Sequence, residues 1–97
     1  MEFLINKKFA SQEIGKIFIS DYKLKKDYVF VEDKNKLNTK EFKRGEKINI
    51  QITKSKHGNY VSFLKKENGI LWQFSFERNS KEVQTFIEQI YNKQFSN

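Results

Sequence analysis

The chain has 97 residues with one histidine, no cysteine and no proline, and 19 Lys/Arg against 12 Asp/Glu leave a formal charge of +7. Disulfides, thiolate zinc sites and thiol chemistry are excluded, and a single imidazole without a carboxylate cluster builds no metal centre. Apolar residues at 37% and aromatics at 15%, ten of them Phe, separate the chain from disordered polyelectrolytes and give a single domain, residues 1–97, around one core.

Residues 1–6, with FLI at their centre, read as a short first strand or an arm; the apolar run is too short for a signal segment or a membrane span. Residues 7–13 form a basic connection. In residues 14–20, Ile17 and Ile19 alternate against Lys16, Phe18 and Ser20, which predicts a strand with Phe18 on its less apolar side. DYKLKKD, residues 21–27, is a polar turn carrying Tyr22 and three lysines, and YVFVE, residues 28–32, is a β-branched and aromatic strand. Residues 32–44 are the longest polar stretch, with Lys34, Lys36, Lys40, Lys43 and Arg44 around Leu37 and Phe42, and read either as a helical turn or as a loop.

The best-patterned part runs from residue 46 to 95. Three strand-like segments, EKINIQI, NYVSFLK and ILWQFSF, are joined by the glycine-containing turns KSKHG and ENG. Asn-Gly between alternating segments is a strong hairpin signal, and the absence of proline leaves every strand free to take a central position. Alternation puts Ile48, Ile50, Ile52, Val61, Phe63, Ile70, Trp72, Phe74 and Phe76 on one apolar side, with Trp72 in the core. The other side carries Asn49, Gln51, Thr53, Tyr60, Ser62, Leu64, Leu71, Gln73 and Ser75, without a charge. Val83, Phe86, Ile87, Ile90 and Tyr91 then recur at helical spacing behind a cap at Asn79 or Ser80, with Glu82 in the first turn. This helix is expected to lie on the apolar side of the strands.

Charge is unevenly spread. Residues 1–66 hold 16 Lys/Arg against 8 Asp/Glu, and residues 67–97 hold 3 against 4. Such a field favours polyanions: nucleic acid first, an anionic membrane surface second, an acidic protein third. No catalytic spacing accompanies it. No Ser or Thr has His57 at a recognised interval, the glycines are dispersed, and His57 reads as an exposed turn residue; neither catalysis nor a cofactor is expected.

Single-stranded nucleic acid requires cations along its phosphates and flat side chains for its unpaired bases. Lys43, Arg44, Lys47, Lys54, Lys56, Lys65 and Lys66 are the candidate cations. Tyr60, Phe18, Tyr22 and Tyr28 are candidate stacking surfaces, and Gln51, Ser62 and Gln73 are neutral groups on the side that carries Tyr60.

KINIQITKSKHGNYVSFLKK, ILWQFSF and NSKEVQTFIEQIYNK together resemble one repeat of the PUR domain and of the related single-stranded DNA-binding coactivators. That resemblance covers about half the chain. It implies a curved sheet that binds single strands, with Lys54, Lys56, Asn59 and Tyr60 at its basic turn, and homodimers made through the helix. The N-terminal half lacks the helix a second repeat would need. The order of strands followed by one helix, with Trp72 just before it, also looks like a pleckstrin-homology-like domain, which implies phosphoinositide or protein binding. YVFVEDKNKLNTKEFKRGEKINIQI is similar to the middle of a cold-shock barrel without its aromatic binding motif. An accessory protein of a phage or plasmid that inhibits a host factor has the same general features. The expectation is a cytoplasmic α+β domain, an antiparallel sheet of five to seven strands packed by one C-terminal amphipathic helix, that binds DNA or RNA single strands.

Overall fold

The computed structural model describes residues 2–5, 13–32, 35 and 38–91. The readings of residues 7–12 as a connection, of Lys34, Lys36 and Leu37, and of a helix beyond residue 91 lie outside the described residues.

Among those residues the elements are β1 (Glu2–Leu4), β2 (Glu13–Lys23), β3 (Tyr28–Val31), β4 (Thr39–Phe42), β5 (Lys47–Ser55), β6 (Gly58–Glu67), β7 (Ile70–Ser75) and α1 (Lys81–Phe86), which runs on into a π-helical turn, Ile87–Tyr91. The class is α+β and mostly antiparallel, but the strands form two sheets where one was expected. Their orders are β1-β3-β4 and β2-β5-β6-β7, and β1 runs parallel to β3.

The second sheet answers a problem of area. The register aligns Ile19, Ile50, Phe63 and Phe74 in one cross-strand row and Ile17, Ile52 and Val61 in the next. An apolar surface four strands wide exceeds what one short helix covers. β3 and β4 supply the remainder through Tyr28, Phe30 and Phe42, all buried. Their rings meet those of the larger sheet mostly edge to face: Tyr28 to Phe63 at 5.1 Å, Phe30 to Phe63 at 5.2 Å and Phe42 to Phe63 at 5.4 Å between centroids. Each such pair adds about 0.5–1.5 kcal/mol beyond burial alone.

β4 occupies part of the stretch read as helical turn or loop. TKEF has one apolar residue, Phe42, and no periodicity of its own; antiparallel pairing to β3 from Tyr28↔Phe42 to Val31↔Thr39 makes it a strand. β2 runs on through the expected polar turn to Lys23. Asp21 takes a left-handed conformation (φ 56°) at a register shift, and its N–H donates to Asn49 Oδ1 at 3.2 Å. The turn therefore begins at Leu24, whose N–H donates to Glu46 O and whose carbonyl accepts from Gly45 N–H.

Ser80 is the helix cap, with Oγ accepting from Val83 N–H at 3.3 Å. Asn79 has a different job: its Oδ1 accepts from Asn59 N–H at 3.0 Å, and Arg78 Nη1 donates to His57 O, tying the β5–β6 turn to the segment before the helix. Val83, Phe86 and Ile90 are buried and Ile87 is half-buried. Phe86 packs against Phe63, Phe76 and Tyr28, so the helix lies on the apolar side but shares it with β3, where the expectation was a helix packing the sheet alone. The wider π turn departs from the continuous α-helix that the spacing implied, and it carries Ile90 onto the core side.

Candidate nucleic-acid interface

The strand register brings three lysines together on the side of the larger sheet that faces away from β1-β3-β4. Lys23 stands directly opposite Lys47 in the β2–β5 pairing. Alternation from the Asn49↔Leu64 pair carries the same side to Lys47 and to Lys66, which pairs with Leu71. All three are exposed, and among the described residues none has a carboxylate partner. Like charges directly across a sheet disfavour each other, so this row is a local tension that an anion would relieve.

Two turns extend the cluster. The Gly45 N–H to Leu24 O bond holds the β2–β3 and β4–β5 turns together, bringing the segments that carry Lys25, Lys43 and Arg44 close to Lys23 and Lys47. The acids present mainly shape these turns. Asp27 Oδ1 accepts from Arg44 N–H at 2.6 Å and Glu46 Oε2 accepts from Lys43 N–H at 3.0 Å. Lys43 keeps a loose pair with Glu41 at 3.6 Å, between two exposed side chains.

The other predicted cations lie elsewhere. Lys54 is at the far end of β5, about 23 Å from Lys47 at the usual strand rise, and alternation turns it to the opposite side of the sheet; Lys56 is in the adjoining turn. Lys65 is on the core side, 5.1 Å from the Phe42 ring and 3.8 Å from both Glu46 and Glu67, so its charge is largely balanced. Lys23 and Lys25 were missed as site residues because they were read as part of a turn. Only the register shows that Lys23 faces Lys47.

The neutral side of the sheet is closed at its centre. Gln51 is 7% exposed, Tyr60 6% and Ser62 0%, beside buried Thr53, Ser55 and Ser75. Four of these groups bond to one another or to Gln73: Gln51 Nε2 donates to Thr53 Oγ1 at 2.9 Å, Ser62 and Ser75 hydroxyls lie 2.7 Å apart, and Gln73 Nε2 donates to Ser62 Oγ at 2.9 Å. Gln51, Tyr60 and Ser62 therefore present no open edge to a base. Tyr28 is buried and Tyr22 half-buried against Phe86; burial raises the pKa of both hydroxyls, and for Tyr28 the nearby charge of Glu82 adds to it. The aromatic that does stand free on this side is Phe18, 63% exposed.

Trp72 is not a core residue. It is 41% exposed, stacks on Phe74 at 6.3 Å and 13°, and has Lys40 Nζ 5.8 Å from its ring. Lys40 also pairs with Glu67 at 2.8 Å, and that hydrogen bond holds the Glu67 carboxyl below its ordinary pKa. Trp72, Phe74 and Lys40 form one wall of a cleft of about 240 Å³ whose other lining includes Ile5, Glu32 and Asn38.

Fold and site together define a small two-sheet module with one C-terminal helix and a basic patch at one sheet end. Among the described residues no group of three or more His, Asp or Glu could hold a metal ion, and no helix is long and apolar enough to cross a membrane. No family model, curated protein or solved structure matches the chain.

Proposed function

We propose that this chain is a non-catalytic cytoplasmic module that binds single-stranded DNA or RNA, with its contact surface centred on Lys23, Lys47 and Lys66. The observation that carries the reading is this row of exposed lysines, without carboxylate partners among the described residues and neighbours across strands set about 4.8 Å apart. Phosphates laid across it displace counterions and relieve the Lys23–Lys47 repulsion at once. Lys25, Lys43 and Arg44 extend the positive field, and Phe18 on the same side offers a surface on which an unpaired base stacks. The resemblance to PUR-type modules supports the same partner, with the contact at the other end of the sheet from the basic turn that the resemblance singles out.

Glutamine at Lys23, Lys47 and Lys66 together tests the assignment. Each lost phosphate contact to a single strand removes about 0.7 from the slope of log K against log salt, so the triple variant should flatten that slope by about 2. Glutamine at Lys54 and Lys56 should flatten it less. An unchanged slope in the triple variant removes the row from the site.

The pleckstrin-homology-like reading is kept as the alternative because the strands do form two sheets closed by a C-terminal helix. Binding to phosphoinositide vesicles without binding to oligonucleotides would favour it.

A further inference from the structure

The two edges of the larger sheet are built differently. β2, at one edge, is interrupted by register shifts and carries Lys16, Asp21 and Lys23, the devices that keep an exposed edge from recruiting another strand. β7, at the other edge, has none of them. ILWQFS has no charge, no proline and an unbroken register with β6, and its first four residues are exposed, Leu71 at 64%. The Asn68–Gly69 turn has both φ angles positive, 51° and 78°, as a two-residue type I′ hairpin requires, so Glu67 and Ile70 form the hydrogen-bonded closing pair. Counting on from that pair, the N–H and C=O groups of Leu71 and Gln73 point away from β6, out of the sheet.

We infer that β7 is the contact strand of a homodimer, pairing antiparallel with β7 of a second copy about a two-fold axis at Trp72. In that register Leu71 and Gln73 exchange backbone hydrogen bonds with the partner's Gln73 and the partner's Leu71. Trp72 then faces the partner's Trp72 in a non-hydrogen-bonded pair, where side chains approach most closely and aromatic pairs contribute most. A second copy is the occupant that the strand itself specifies. Its edge strand is equally uncharged, and Lys40, the cation beside the Trp72 ring, is balanced by Glu67 at 2.8 Å. The last third of the sequence, residues 67–97, to which β7 belongs, is nearly neutral, while the net positive charge belongs to residues 1–66. The axis stands perpendicular to the sheet, so both copies of the Lys23–Lys47–Lys66 row lie on the same side of one eight-stranded sheet. The contact uses an edge and not that row, so glutamine at Lys23, Lys47 and Lys66 should leave the dimer intact.

Sedimentation of the full chain over a range of concentrations, with Trp72 emission read on the same samples, tests the pairing; Trp72 is the chain's one tryptophan. Reversible dimers are expected, together with a blue shift of the emission on concentrating as the indole leaves water. Leu71→Lys, at an exposed side chain, should abolish both while circular dichroism stays unchanged. Should that variant fail to fold, Trp72→Lys, which sets two cations opposite each other on the axis, gives the same reading by mass alone. A wild-type chain that stays monomeric overturns the inference, as does a dimer that persists in the folded variants.

Discussion

At the scale of single residues the core is aromatic, and its sides were legible while its limits were not. Ile50, Ile52, Val61, Phe63, Phe74 and Phe76 all lie where alternation puts them, because the period of two is a property of the strand itself. Trp72 shares that side and is still exposed, since alternation gives direction but not how far along a strand the facing layer extends. The same gap hid the closed centre of the neutral side at Gln51, Tyr60 and Ser62. Phe63→Ala should lower stability by about 3–5 kcal/mol in urea unfolding, whereas Phe18→Ala should change it by no more than about 0.5 kcal/mol. A large loss for Phe18→Ala would mean that this ring is packed. Tyr28 gives a test by pH. The folded protein holds its hydroxyl proton more tightly than the unfolded chain does, so this contribution to stability is complete below the ordinary tyrosine value of 10.0 and is lost as pH rises through the folded value. Tyr28→Phe should flatten that alkaline decline, measured as urea midpoints from pH 9 upward; an equally steep decline would place its origin elsewhere.

At the scale of elements, those with a strong local cause were readable. The Asn-Gly turn, the two long hairpin strands and a helix capped at Ser80 each follow from residues within a few positions of one another. β4 and the boundary of β2 were not readable, because tertiary pairing makes them: TKEF is a strand only beside β3, and DYK only because Asp21 leans on Asn49. The two glycine turns differ in the same way. Gly69 has φ +78° and open space around it, so Gly69→Ala should cost about 1 kcal/mol from backbone conformation alone. At Gly58, φ is +127° and an added Cβ would lie 2.4 Å from Asn79 Nδ2 and 2.7 Å from Arg78 Cδ, the side chains that join this turn to the helix. Gly58→Ala should therefore lower the urea midpoint clearly more than Gly69→Ala, and equal losses would show that the Asn79 link contributes little.

At the scale of the whole molecule, the sequence shows an excess of cations in residues 1–66, but only the folded sheet shows which of them converge. Lys54 and Lys65 looked equivalent to Lys47 and Lys66 as letters. In the fold, one lies at the far end of the sheet and the other is balanced by Glu46 and Glu67, while Lys23 joins from a segment read as a turn. The row it completes is the centre of the proposed surface. The most direct test is fluorescence anisotropy with mixed-sequence single-stranded and duplex DNA and RNA, each at a low and a near-physiological salt concentration. Binding that favours single strands and weakens steeply as salt rises is the expected result. Absence of binding at low salt, or binding indifferent to salt, would contradict it.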